Sequence, residues 1–284
     1  MVTNISIHII KEITKFRLTL SVVFSSFISY LLGAAEVNYI QLFYLISGGI
    51  LIVSSSNIFN QIIERDLDKL MKRTQNRPLP KNKITTRTAL FLAISSSVIG
   101  LIFMYLINIK VAILAALSIF LYTAVYTPMK LISPFSVFVG AIPGAFPFMI
   151  GWVAATNHIG IEALTLFLMQ FFWQFPHFWA LAWKLDEDYK KAGFRLLPSG
   201  ERNKKSAFQI MLYSAFLVPV AMLPWAADIS GTWSMVAGVL LSLFMYYPAV
   251  KLYFTLEEKH AKQLMMMSFI YLPVLFSFYC FNLT

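Results

Sequence analysis

Thr88-Ala-Leu-Phe-Leu-Ala-Ile-Ser-Ser-Ser-Val-Ile-Gly-Leu-Ile-Phe-Met-Tyr-Leu-Ile107 and Val111-Ala-Ile-Leu-Ala-Ala-Leu-Ser-Ile-Phe-Leu-Tyr-Thr-Ala-Val-Tyr-Thr127 are separated only by Asn108, Ile109 and Lys110. Each run approaches the roughly 20 apolar residues a helix needs to cross a bilayer. Three intervening residues allow nothing but a tight turn, so the two runs read as a hairpin of membrane helices. Seven further stretches have the same character. The predicted spans are 18–35, 39–59, 88–107, 111–127, 135–156, 161–183, 206–227, 232–252 and 264–283. The expected fold is all-α: one polytopic domain, residues 1–284, built as a bundle of nine transmembrane helices with two long cytoplasmic loops.

Composition excludes a soluble alternative. Hydrophobic residues make up 58% of the 284 and charged ones 13%, against about 45–50% and about 25% in an ordinary soluble domain. That much apolar surface requires lipid around it. Pro143, Pro147, Pro176, Pro219, Pro224, Pro248 and Pro273 all fall inside spans, where neighbouring helices can satisfy the backbone groups they free. Gly140 and Gly144 form a small-xxx-small pair, the pattern of a close-packing face. Near Pro143–Pro147 a re-entrant segment is the main alternative to a straight span. Cys280 stands alone, so no internal disulfide is possible.

Twenty-two of the 23 Lys and Arg residues fall on one side of the nine-helix topology; the other side has only Lys110. By the positive-inside rule the N-terminus is expected in the cytoplasm and the C-terminus outside. The net charge of +10 therefore marks cytoplasmic loops rather than a nucleic-acid partner. Residues 1–16 carry Glu12 and have no small-residue cleavage site, so no signal or transit sequence is expected, which favours a bacterial cell (inner, plasma) membrane.

Two connections on the basic side, 61–87 and 184–205, each exceed twenty residues, and function is sought there. In the first, a second helix continuing past its span would stack Asn60, Glu64 and Asp68 on one face, each step of four residues drifting by only ~40°. Asp66, about 200° from Glu64, would point elsewhere. Two carboxylates and an amide oxygen in a column repel unless a cation sits among them, and Mg2+ takes such ligands together with substrate phosphate. Lys72, Arg73 and Arg77 follow as partners for phosphate oxygens. The alternative for the column alone is a solvated helix end.

The second connection carries Lys184, Asp186, Glu187 and Asp188, with His177 seven residues before Lys184, roughly 10 Å deeper on a helix. Ionisable groups at that depth are functional candidates. Both connections run from acids into Arg and Leu-Pro (Arg77-Pro-Leu-Pro80, Arg195-Leu-Leu-Pro198), and two acidic clusters on one face could hold a diphosphate between them. Tyr122, Thr123, Tyr126 and Lys130, at the inner end of the fourth span, either line the same cavity or are interfacial aromatics with a snorkelling Lys. His8, His158 and His260 are expected in solvent.

The stretch Asn60-x-x-x-Glu64-x-x-x-Asp68 running into Arg73-Thr-x-x-Arg77-Pro-Leu-Pro80 resembles the first signature of the UbiA superfamily of intramembrane prenyltransferases. Tyr122-Thr through Thr127-Pro-Met-Lys130, Gly140-Ala-Ile-Pro-Gly144-Ala, Trp173-Gln-Phe-Pro-His177-Phe-Trp and Asp188-Tyr-Lys-Lys-Ala-Gly193 make the chain similar to the branch that farnesylates heme. Glu64 departs from the family's usual Asp. Its extra methylene moves the carboxylate by about 1 Å, against a metal strict about octahedral geometry. His177 and Lys184 stand where other members of the superfamily have aspartates, leaving Asp188.

The resemblance implies farnesyl diphosphate held by Mg2+ on Asn60, Glu64 and Asp68, with Asp188 and Asp186 opposite. Arg73, Arg77, Lys72 and Lys184 would neutralise the leaving diphosphate, and aromatic rings would face the allylic cation. Heme b would be the acceptor, and the product would pass to a heme A synthase or to heme–copper oxidase assembly. His177 is left with the heme, its iron or the diphosphate. Rival readings are a prenyltransferase for another aromatic or chlorin acceptor and an ion-coupled transporter; the latter would want its acids near the bilayer midplane.

Overall fold

The computed structural model describes residues 6–281. Among them every regular element is helical. A short helix, α1 (Ile7–Ile13), leads into α2 (Phe16–Gly33), and α3 (Tyr39–Ile63) ends beside a single short turn, α4 (Arg65–Asp68). Then come α5 (Thr86–Ile107) and α6 (Ile109–Phe120). The chain continues through a π-helical stretch, Leu121–Tyr126, into α7 (Thr127–Met129). The hairpin expected between the third and fourth spans is present. Asn108 alone divides them, its Oδ1 accepting from the Val111 amide and its Nδ2 donating to the Val153 carbonyl. The second half comprises α8 (Ser136–Thr156), α9 (Ile161–Lys184), α10 (Asp186–Lys191), α11 (Lys204–Val220), α12 (Leu223–Ala226), α13 (Thr232–Thr255) and α14 (Glu258–Phe281).

Among the described residues eight stretches are helical, long and apolar enough to cross a membrane: Phe16–Gly33, Tyr39–Ile63, Thr86–Ile107, Ile109–Met129, Ser136–Thr156, Lys204–Ala226, Thr232–Thr255 and Glu258–Phe281. The chain is a multi-pass membrane protein. The sixth expected span, 161–183, is the 24-residue α9. Its Gln170, Gln174 and His177 make it less apolar than the others, and it packs against α8, α11 and α14.

Prolines do not interrupt α8, which runs unbroken through Pro143 and Pro147, so the segment is not re-entrant. The seventh span does break: α11 ends at Val220, and the helix restarts as α12 with Pro224 in its first turn, where a missing amide costs nothing. Gly140 and Gly144 make close approaches of a different kind from helix-on-helix packing. A Cβ on Gly140 would lie 2.6 Å from the ring of Tyr126, and one on Gly144 would lie 2.0 Å from Gln174 Oε1. Each glycine admits a side chain from a neighbouring span.

Helix α8 is the most enclosed, packed on α2 and α9. By contrast α5 shows Phe91, Ile94, Val98 and Ile102 outward, as a lipid-facing helix must. The cation-rich connections converge at one end. Arg195 N donates to the Lys130 carbonyl, Arg73 N to Asp188, and Arg202 pairs with Glu258. Lys110, the lone exception to the charge bias, donates to the Asn157 carbonyl in the loop that precedes α9. His260, expected in solvent, is buried and bonded to Gln263, because α14 begins two residues earlier and turns the ring inward.

Candidate active site

Helix α3 does not run on through the acidic stretch as a regular helix. It stops at Ile63, and Glu64 sits between α3 and α4 with φ −91° and ψ 7°. The column nevertheless survives, because the Glu64 amide bonds the Asn60 carbonyl and the Asp68 amide bonds the Glu64 carbonyl. Asn60, Glu64 and Asp68 are 1%, 4% and 0% exposed, which removes the solvated-helix-end reading. Asp66, as the helical spacing predicts, faces water and pairs with Arg65 and Lys69, which hold its carboxyl below the usual range.

Each side chain of the column meets a cation. Lys130 Nζ lies 2.6 Å from Glu64 Oε1. Arg77 Nη1 donates to both Asp68 oxygens at 2.9 and 2.8 Å. Lys15 Nζ donates to Asn60 Oδ1 at 3.1 Å, and Asn60 Nδ2 donates to Thr127 Oγ1 at 3.2 Å. Lys130 is buried, not snorkelling, and its ammonium stands 4.6 Å from the ring centre of Tyr126 and 5.6 Å from that of Phe194. Tyr122 packs on Tyr126 at 5.3 Å between ring centres. Both belong to the π-helical stretch, a distortion that recurs at functional sites. Burial of the Lys15 ammonium, with Arg77 and Lys130 close by, lowers its pKa to about 7.

The second acidic stretch reaches the first through Asp188, whose Oδ2 accepts from the Arg73 backbone amide at 3.2 Å. The Arg73 guanidinium lies over the Tyr189 ring, 5.9 Å from its centre. Gly193, at φ 76°, takes the chain from α10 back to the Arg195 amide that bonds Lys130. Asp186 is not brought to the cluster. It pairs with Lys190 at 2.8 Å and Arg202 at 3.5 Å, tying this loop down instead. Lys72 and Lys184 are exposed, and no hydrogen bond or ion pair joins either to the column among the described residues. Thr123 bonds the Ile119 carbonyl and faces α5 rather than the column.

His177 stands apart from the acids. Its Nδ1 is 2.6 Å from Ser268 Oγ on α14, and its ring stacks on Trp173 at 4.8 Å and 15°. Phe178 and Phe269 meet the ring edge-on. The surroundings are apolar and aromatic, unlike a diphosphate site.

Sequence reading missed Lys15, Thr127 and the residues that place Lys15. Asn57 and Gln61, one turn apart in an apolar span, were the available signal: both side chains donate to backbone carbonyls just before Lys15.

Mg2+ suits these donors, since an amide oxygen and two carboxylates are hard ligands. No three His, Cys, Asp or Glu side chains gather into a metal cage among the described residues. Phosphate oxygens of a bound substrate would have to complete such a metal's shell.

Residues 22–272 match the UbiA prenyltransferase family. A protoheme IX farnesyltransferase of Flavobacterium psychrophilum is 51% identical over 93% of this chain and 91% of its own. One from Aquifex aeolicus is 36% identical over 87% and 85%. Among solved structures, one from work on a digeranylgeranylglyceryl phosphate synthase superposes with a TM-score of 0.82 at 19% identity, covering 97% of both chains. A UbiA homolog from Archaeoglobus fulgidus bound to GPP and Mg2+ gives 0.65 at 14% identity, covering 96% and 99%. With the family model spanning most of the chain, the transporter reading falls away: this protein belongs to the UbiA prenyltransferase family.

Proposed function

We propose that the protein transfers the farnesyl group of farnesyl diphosphate to a vinyl group of heme b, with addition of water, to give heme o. The observation that carries the reading is the buried column Asn60–Glu64–Asp68, faced by three cations and joined to Asp188 through the Arg73 amide. Relatives half identical to the chain bear the name of this activity. Diphosphate needs that concentration of positive charge, and an anionic heme suits the basic loops.

Asn60, Glu64, Asp68 and Asp188 would hold Mg2+, which would supply positive charge to the oxygens of the departing diphosphate. Arg77 and Lys130 exchange their carboxylate partners for phosphate oxygens, and Arg73 lies beside them at the loop edge. The C–O bond at farnesyl C1 breaks with its electron pair leaving on the diphosphate. Tyr122 and Tyr126 cover the apolar side, their ring faces suited to an allylic cation. The vinyl terminus forms the new C–C bond, water adds to the carbon left electron-poor, and a proton is released. His177, among Trp173, Phe178 and Phe269, contacts the porphyrin rather than the diphosphate.

Helix α9 makes the ninth span. The basic end of the bundle lies in the cytoplasm with the N-terminus, and the C-terminus lies outside a bacterial cell membrane, as the charge bias requires. The product passes to a heme A synthase or to oxidase assembly. Incubation of the purified protein with heme b, farnesyl diphosphate and Mg2+ tests the reading. A heme heavier by one farnesyl group and one hydroxyl supports it; heme b recovered unchanged, with the diphosphate intact, overturns it.

A further inference from the structure

Lys15 lies ahead of the family-matched region, yet its ammonium sits at the centre of the polar cluster. The segment that carries it is fastened from three directions. Ile13 is fully buried against Ile58, Leu79 and Ile84. Gln61 Nε2 donates to the Ile13 carbonyl at 2.7 Å. Asn57 Nδ2 and Thr19 Oγ1 donate to the Thr14 carbonyl at 3.1 and 2.8 Å. Lys15 itself takes the left-handed conformation, φ 48° and ψ 52°, which residues other than Gly, Asn and Asp rarely adopt. Such strain persists where surroundings over-determine the backbone, as it does at ligand clamps. Here it turns the side chain inward over α3 instead of along α2.

Charge at the cluster is unbalanced. Arg77 and Lys130 each have a carboxylate, Asp68 and Glu64. Lys15 has only the neutral Asn60 oxygen, with no ion pair among the described residues. A part-buried ammonium bonded only to an amide oxygen, between two other cations, is a ready partner for an arriving anion. Resting on the farnesyl-transfer reading, we propose that Lys15 is a substrate-binding residue whose ammonium contacts the diphosphate, and that α1 with the Thr14–Lys15 turn forms one wall of that subsite. The sequence shows Lys15 as one of three basic residues ahead of a span; only the fold gives it this role.

The test uses the full chain in detergent, with calorimetry of inorganic pyrophosphate binding in Mg2+ and separate KM values for farnesyl diphosphate and heme b. Lys15→Met keeps the stem and removes the charge. Lys15→Gln also keeps a donor for Asn60, so it covers the case in which the Met variant does not fold. Both should weaken pyrophosphate binding and raise KM for farnesyl diphosphate by roughly tenfold or more, the loss of one charge-assisted contact. KM for heme b should stay unchanged, Lys15→Arg should recover most of the binding, and Lys11→Met, on the exposed side of α1, should match wild type. Wild-type pyrophosphate affinity in either neutral variant, or a rise in KM for heme b alone, overturns the proposal while leaving farnesyl transfer standing. A wild-type chain that binds no pyrophosphate and transfers no farnesyl group instead overturns the parent reading.

Discussion

Lys130→Met should cost far more than removal of a typical surface charge. The Lys130 and Glu64 side chains are 10% and 6% exposed, and their charged atoms are 2.6 Å apart. At an effective dielectric of about 20, two unit charges about 4 Å apart attract by roughly 4 kcal/mol. Removing one partner also leaves the other charge buried without compensation, and together such losses run to about 3–5 kcal/mol. At about 2–4 °C per kcal/mol for a chain of this size class, the midpoint of thermal unfolding in detergent should fall by roughly 10 °C. Glu64→Gln alone should fall similarly, because it strands Lys130. The double variant Glu64→Gln/Lys130→Met removes both charges and should return most of the lost stability while remaining inactive. That outcome separates the pair's structural role from its part in binding diphosphate. A Lys130→Met protein as stable as wild type, or a double variant no better than the singles, would refute the buried-pair reasoning.

Asp68→Asn keeps the side-chain shape but removes the charge that faces Arg77, and turnover should fall by about 10²–10³ or more with the protein still inserted and monodisperse. His177→Ala should weaken heme b binding, read from the Soret band, and leave pyrophosphate affinity unchanged; the opposite pattern would move His177 to the diphosphate. Gly140→Ala places a methyl 2.6 Å from the Tyr126 ring. Displacing that ring from Lys130 should cost about 1–3 kcal/mol of stability and lower turnover in the heme-product assay.

The membrane-helix bundle was legible because hydropathy repeats over twenty residues at a time and charge bias records sidedness. The hairpin at Asn108 and the Asn60–Glu64–Asp68 column followed from spacing alone. The helix break at Glu64 left that spacing unchanged, since its backbone bonds keep the four-residue step. Less was readable where contacts are long-range. Nothing local distinguishes Lys130, buried on Glu64, from a snorkelling lysine, or Asp188, held by the Arg73 amide, from Asp186, tied to Lys190 and Arg202. Lys15 was invisible for the same reason: its position depends on a left-handed turn and on donors more than forty residues away.

Calorimetric titration of pyrophosphate into the purified chain, with and without Mg2+, puts the joint between the two acidic stretches to the sharpest trial. Binding should require the cation and should be lost on substituting either Asp68 or Asp188 by Asn, although the two positions are 120 residues apart. Affinity indifferent to chelation, or untouched by Asp188→Asn, would mean that the two loops do not share one dication-bridged pyrophosphate.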